Sequence, residues 1–233
     1  MHNMQLLLPV TINTTQTFSS FVEPNESNGL IVSELTRAIN SEEFTCHFIA
    51  GNSGVGRTHL LTACCHVANL NKKTSILLPL EQVTAASPEL IDGLEHVDLV
   101  CIDNFDTVVG NQEWENAIFN LFNLLQQNKA GVIFTGNQVP MELNIQLPDL
   151  ASRMQWCTLF QLNFLTNEEK QKALVQHAHL MGFELTEDVA KFMLNRLPRQ
   201  MTFLMQALDT LAKQSIEKQR MVTVPFVKKI LEI

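Results

Sequence analysis

The residues Gly51-Asn52-Ser53-Gly54-Val55-Gly56-Arg57-Thr58 are of types that suit one task, the holding of phosphate. Their glycines let successive backbone N–H groups point at an anion, and a helix starting there adds its partial positive charge. Thr58 stands where a hydroxyl would join the shell of a Mg²⁺ ion. The pattern wants lysine before that threonine, and here it is Arg57. A guanidinium can grip phosphate oxygens bidentately, yet it is bulkier than an ammonium and lacks its point-charge geometry. The natural partner of the loop is Asp103, which closes the apolar run Leu99-Val100-Cys101-Ile102. A carboxylate ending a neighbouring strand can hold Mg²⁺ through water while Thr58 ligates it directly.

Hydrolysis is less well provided for. Directly after the magnesium aspartate, where a second acid would polarise the attacking water, stands Asn104, a neutral amide. Asp106 is near but lies beyond the expected strand end. Together with Arg57, this favours keeping a nucleotide over consuming it. Three other polar residues are candidates for the same chemistry. Asn137, at the end of the strand-like run 131–137, could sense a γ-phosphate or be an ordinary loop amide. Arg199 could reach over the phosphates from the start of a helix, or be a solvated charge. Arg153 could salt-bridge locally or project into the site of a neighbouring subunit.

A phosphate loop needs a strand before it and a helix after it. Cys46-His47-Phe48-Ile49-Ala50 reads as a buried strand, and His59 to Leu70 as a helix with Leu60, Leu61, Cys64 and Val67 on one face. Upstream, residues 27–39 carry Leu30, Ile31, Leu35 and Ile39 at helical spacing. Further strands are expected over 74–80, 98–104, 131–137 and 158–162, with helical segments at 88–94, 114–127 and 148–154. This alternation predicts an α/β fold: a parallel five-stranded sheet with right-handed crossovers and helices on both faces. From Leu165 the pattern turns helical, over 167–181, 186–197 and 199–218, before a turn-rich end at 224–233. The chain thus divides into an arm (1–16), an α/β nucleotide-binding domain (17–165) and a small all-α domain (166–233). Pro9 makes the arm extended. Its cluster Gln5-Leu6-Leu7-Leu8-Pro9-Val10 either packs on its own domain or docks in a partner's pocket.

Composition narrows the functions. With Lys+Arg 16 against Asp+Glu 24, the formal net charge is −8, which argues against DNA as the main direct ligand. Five cysteines in apolar segments, without C-x-x-C spacing, read as reduced core thiols. The seven histidines show no metal-ligand spacing, since His177 and His179 point different ways on a helix. No apolar run is long enough to span a bilayer, and the first residues lack the features of a signal peptide. A cytoplasmic protein without a membrane partner is expected.

These residues carry a resemblance. The chain resembles the Hda family, relatives of the bacterial replication initiator DnaA within the AAA+ class of P-loop NTPases. The resemblance rests on Thr17-Phe18-Ser19-Ser20-Phe21-Val22, the arginine-bearing loop, Leu99 to Asn104 and Glu113-Trp114-Glu115-Asn116-Ala117-Ile118-Phe119. It continues through Leu147-Pro148-Asp149-Leu150-Ala151-Ser152-Arg153, Gly182-Phe183-Glu184-Leu185 and Val224-Pro225-Phe226-Val227-Lys228. It implies an AAA+ sheet domain and an α-helical lid with ADP (or ATP) and Mg²⁺ between them. Phe18, Phe21 and Val22 would lie near the base. Gly51, Ser53, Gly54, Val55, Gly56, Arg57, Thr58 and His59 would bind the nucleotide, with Asp103 and Asn137 among the same set. Asn137 departs from the acid found in similar chains, and Arg199 corresponds to the lid arginine. Family members bind the DNA polymerase sliding clamp (its beta subunit) through an N-terminal motif, here Gln5 to Val10. They then promote hydrolysis of DnaA-bound ATP, with Arg153 as the arginine finger. DnaA itself carries a C-terminal DNA-reading domain, and its absence after Ile233 is expected to limit DNA contact to the clamp.

The mechanism this implies runs in trans: a nucleotide-bound regulator docks on the DNA-loaded clamp, and Arg153 completes the ATP site of DnaA. Two alternatives stand beside it. A self-contained ATPase acting as a homo-oligomer would turn ATP over alone, against which Asn104 speaks. A helicase-loader-like DNA-binding module would bind DNA without the clamp, against which the net charge speaks.

Overall fold

Five parallel strands form the centre of the chain, described from a computed structural model over residues 16–21 and 26–233. The expected partner motif Gln5 to Val10, and Val22 near the base, lie outside these residues. The order along the chain begins α1 (Glu26–Ile39), β1 (Thr45–Ala50), α2 (Arg57–Leu70), β2 (Ser75–Pro79) and a single turn α3 (Leu80–Val83). It continues with β3 (Leu99–Asp103), α4 (Gln112–Gln127), β4 (Gly131–Gly136), α5 (Pro148–Met154) and β5 (Thr158–Gln161). Instead of one helix at 88–94, the chain winds two short 3-10 turns, Pro88–Ile91 and Leu94–His96. In α1 the buried stripe is Ile31, Leu35 and Ile39, while Leu30 is 67% exposed. Residue 30 sits a hundred degrees round the helix from residue 31, off the face that the i, i+4, i+8 series defines.

The strand order is β2-β3-β4-β1-β5, all parallel. The chain therefore leaves β1 in the interior of the sheet and crosses to the far edge before returning. Such a switch point opens a crevice at the C-terminal ends of the strands. The three central strands β1, β3 and β4 are buried on both faces, by α1 and α2 on one side and by α4 and α5 on the other, while the edge strand β5 is largely exposed.

The register pairing His47 with Thr158 places Cys46 beside Cys157, and the two form a disulfide between β1 and the start of β5. This corrects the reading of all five cysteines as free. A pairing between strands more than a hundred residues apart in sequence leaves no trace in cysteine spacing. Cys64, Cys65 and Cys101 are buried thiols.

Beyond β5 the chain forms four helices around a separate apolar core: α6 (Asn167–Leu180), α7 (Glu187–Arg196), α8 (Met201–Lys218) and α9 (Val224–Leu231). Thr166 and Glu169 make a reciprocal capping box at the start of α6. The last segment is a helix rather than turn-rich. Thr223 accepts the N–H of Phe226 and Pro225 sits in the first turn, where its fixed φ suits a helix. Arg199 does not start α8: Gln200 caps it and the helix begins at Met201. Among the described residues no helix is long and apolar enough to cross a membrane.

Candidate functional site

The crevice above β1, β3 and β4 and the four-helix domain enclose a cleft of about 660 Å³. Its floor is the loop between β1 and α2. Gly54 and Gly56 have φ of 85° and 107°, a left-handed path that residues with a Cβ rarely take. A Cβ on Gly56 would also lie 3.0 Å from the Phe21 ring, a tight contact that the ring would have to yield to. Phe21, Ser53 to His59 and Asn137 line this cleft, bringing most of the expected residues together. Gly51 is buried at the base of the loop, and Phe18 packs partly buried on the core beside α1 and α2.

Behind the loop, Thr58 Oγ1 donates to Asp103 Oδ2 at 2.6 Å, joining the two halves of the motif. The carboxylate, 2% exposed, is also held by Thr135 Oγ1 from β4. Thr135 also accepts the backbone N–H of Asn104 at 3.0 Å. It was missed in the sequence; a lone hydroxyl inside the apolar run 131–136 was its one signal.

Arg57 is buried and turned sideways. Its Nη2 donates to Asn104 Oδ1 at 2.9 Å, and its Nη1 lies 4.0 Å from Asp106 Oδ1. Nη1 has no hydrogen-bond partner although it is buried. Asn104 in turn donates to Glu81 at 3.2 Å. Asp106 accepts from Asn137 twice, from its N–H at 3.0 Å and from Nδ2 at 2.6 Å. The acid whose reach was open in the sequence therefore faces the cleft, bound to an amide and a guanidinium. Asn137 is its partner.

The opposite wall comes from the helical domain: Ala173, His177, Met201, Thr202, Met205, Gln206 and Asp209. Arg199 is exposed and is not part of that wall; its carbonyl accepts from Lys170 Nζ at 2.9 Å. The two walls meet at an aromatic hinge. His59 packs edge-on against Phe21 and stacks on His177, with centroids 6.4 Å apart. Gln176 Nε2 on α6 donates to Ser19 O at 2.8 Å. Burial holds the His59 imidazole below its ordinary value, against the hydrogen bond to Thr17 O, and His177 pushes it the same way. Burial also lowers His177, which Asp209 opposes.

Arg153 is elsewhere. It sits in the last turn of α5, just before β5 begins, and so at the N-terminal edge of the sheet. The phosphate loop leaves the C-terminal edge, one six-residue strand away, about 20 Å. Its guanidinium carbon lies 4.1 Å from the centre of the Trp156 ring and 6.0 Å from that of Phe122. The helix bearing it is fixed at its start by Glu115, fully buried, which accepts from the N–H groups of Gly110, Gln146 and Leu147. Leu150 and Met154 anchor it in the core, and the Cys46–Cys157 bond pins the chain just after it.

The fold matches solved structures of the replication initiator DnaA and of a branch migration motor. Domain III of the Thermotoga maritima replication initiation protein DnaA superposes with a TM-score of 0.78 at 20% identity, over 96% of this chain and 98% of that one. AMPPCP-bound DnaA from Aquifex aeolicus gives 0.71 at 20% identity, over 90% and 71% of the two chains. The Thermotoga maritima RuvB Holliday junction branch migration motor gives 0.67 at 15% identity, over 93% and 73%. At these identities the likeness establishes the fold, an AAA+ sheet domain with a helical lid. Family membership comes from the sequence models: the bacterial DnaA ATPase domain matches residues 12–161, and the Hda lid domain matches 167–231. The chain belongs to the family of the bacterial DnaA ATPase domain and, with its Hda lid, is an Hda-type, DnaA-related AAA+ replication regulator.

Proposed function

We propose that the protein holds a nucleotide, ADP or ATP, in its own cleft and supplies Arg153 in trans to the ATP site of DnaA. The observation that carries this is the separation of the two arginines. Arg153 stands at the opposite sheet edge from the chain's own phosphate loop, so a phosphate within its reach belongs to another molecule. The arginine fingers of GTPase systems accelerate hydrolysis by about 10³ to 10⁵. The water-orienting acid would be the partner's, so Asn104 does not obstruct the reaction.

The cleft residues fit a nucleotide. The left-handed glycines, the start of α2 and the orphaned Nη1 donor of Arg57 are the groups that phosphate oxygens satisfy. Phe21 and His59 would flank the base. Thr58 and Asp103 would hold Mg²⁺, which neutralises phosphate charge when bound. Among the described residues there is no cluster of three or more His, Cys, Asp or Glu for a metal, so any ion would depend on the phosphates for its other ligands. Neither Asn104 nor Asp106 is free to activate water in the chain's own site, which supports retention over turnover. Docking on the sliding clamp through Gln5 to Val10 rests on the family resemblance. It would raise the local concentration of the finger near DnaA.

The test mixes the protein with ATP-loaded DnaA and clamp on DNA and follows conversion of bound ATP to ADP. Acceleration lost in Arg153→Ala is expected; full acceleration by that variant would remove the trans-finger reading. Replacing Gln5 and Leu8 by Ala should abolish retention on the clamp, and unchanged retention would make residues 1–16 a passive arm.

A further inference from the structure

Trp156 is a large apolar side chain that the fold leaves 56% exposed, two residues past the end of α5. Its ring lies 4.1 Å from the guanidinium carbon of Arg153. Among the described residues Arg153 forms no ion pair, unlike Arg37, which Glu34 holds, and Arg57, which faces Asp106. The choice of partner has a chemical consequence. A carboxylate would orient a guanidinium by occupying its N–H edge and cancelling its charge. An indole orients it through its flat face, leaving charge and donor edges free for an incoming oxyanion.

We propose that Trp156 is a positioning residue for Arg153: it pre-sets the guanidinium on the surface, donor edges outward, so that few rotamers must be frozen when another subunit's phosphates arrive. This rests on the reading of Arg153 as a finger acting in trans. The support for the stack is rigid. The Trp156 N–H donates to Arg153 O at 3.0 Å, closing the turn, and Cys157 next to it is bonded to the interior strand β1. Phe122, beneath, belongs to the core. The same geometry would follow from a surface contact without consequence for rate, so the test must separate orientation from binding.

Two measurements do so. The chain has two tryptophans, and Trp114 is only 2% exposed, so acrylamide quenching of the full-length protein reads mainly Trp156. Arg153→Ala should raise the quenching constant by uncovering the ring; an unchanged constant would show that the stack does not persist in solution and would overturn the proposal. The second compares maximal rates of DnaA-bound ATP conversion at saturating regulator. Trp156→Ala should lower that rate about two- to fivefold, the range of an exposed cation–π contact. Trp156→Phe should restore most of it, and Trp156→Ala should add nothing to Arg153→Ala. ADP binding by the variants should match that of the parent. If Trp156→Ala changes only the concentration needed for half-maximal effect, the ring is a docking contact and the positioning role is wrong. If Arg153→Ala itself leaves acceleration intact, the trans-finger reading falls first and takes this role with it, an outcome distinct from the loss of the Trp156 effect alone.

Discussion

Arg57 and Arg153 carry the same side chain into opposite surroundings. Arg57 is buried among polar groups: an amide takes one of its donors, a carboxylate faces it, and those partners are held by Glu81 and Asn137. Its charge is spent inside the molecule, where it can hold a nucleotide but has no poised base beside it. Arg153 lies between two aromatic rings on a corner braced by a buried glutamate and a disulfide. Its charge is unspent. On the function proposed above, one region would serve retention and the other delivery, and the difference between them lies in what stands next to each arginine.

The contrast is tested most severely by removing Arg153, the half-buried arginine. Arg153→Ala should reduce acceleration of DnaA-bound ATP hydrolysis by about 10³-fold or more. Arg153→Lys should recover little of it, because an ammonium lacks the planar donor fork. ADP affinity of the chain should be unchanged in both, as measured by equilibrium titration. A parallel loss of ADP affinity would mean that the two regions are not independent.

Next in size is the brace. Glu115→Ala removes a buried carboxylate and leaves three part-buried backbone N–H groups without their acceptor, an expected cost of about 3 kcal/mol in denaturant unfolding. Because those bonds fix the start of α5, stimulation of DnaA should decline at temperatures where the cleft still retains nucleotide. Simultaneous loss of both would show that the corner has no local stability of its own.

Arg57→Ala should weaken nucleotide binding by about 10- to 100-fold, the worth of a charge-assisted hydrogen bond. Excess nucleotide should restore stimulation of DnaA by this variant, whereas it should not rescue Arg153→Ala. A failure of rescue would give Arg57 a role beyond retention.

Much of the retention region was legible in the sequence because it is local. A glycine loop between an apolar strand and a helix, with an aspartate ending another apolar strand, specifies its own geometry through backbone periodicity. The sheet followed from the same alternation. What escaped depends on the register between distant segments. Thr135 supports Asp103 only because β4 lies between β1 and β3. Cys46 meets Cys157 only because β5 pairs with β1. The lid wall escaped for a different reason. Gln200 caps α8 without a side-chain hydrogen bond, a start signal the residues do not advertise. The resemblance placed Arg199 over the phosphates, whereas the cleft receives Thr202, Gln206 and Asp209 from the turns after it. Arg153 was singled out as a finger through that resemblance alone, and nothing in its spacing announced the ring of Trp156 against it.

The smallest effect expected is a response to acid confined to one of the two regions. His59 and His177 stack across the cleft, and burial keeps both imidazoles below the ordinary 6.5. His59 faces Thr17 and Ser20, and His177 feels Asp209, but neither carries a compensating ion pair among the described residues. In the unfolded chain these rings bind protons more readily than in the folded one. The stability from keeping them neutral is therefore fully present above about pH 6.5 and is lost as pH falls through that value toward the lower folded pKa. His47, buried on β1 and likewise lowered by burial, adds to the global trend. A comparison of parent with His59→Gln isolates the cleft. The parent's thermal midpoint should drop more between pH 7.5 and 5.5 than the variant's, with nucleotide retention falling in step. The Arg153 corner has the rings of Phe122 and Trp156 against its guanidinium, and neither ring titrates. Its acrylamide quenching should stay flat over the same range, and a quenching change that tracked the cleft would show that the lid and the finger corner move as one.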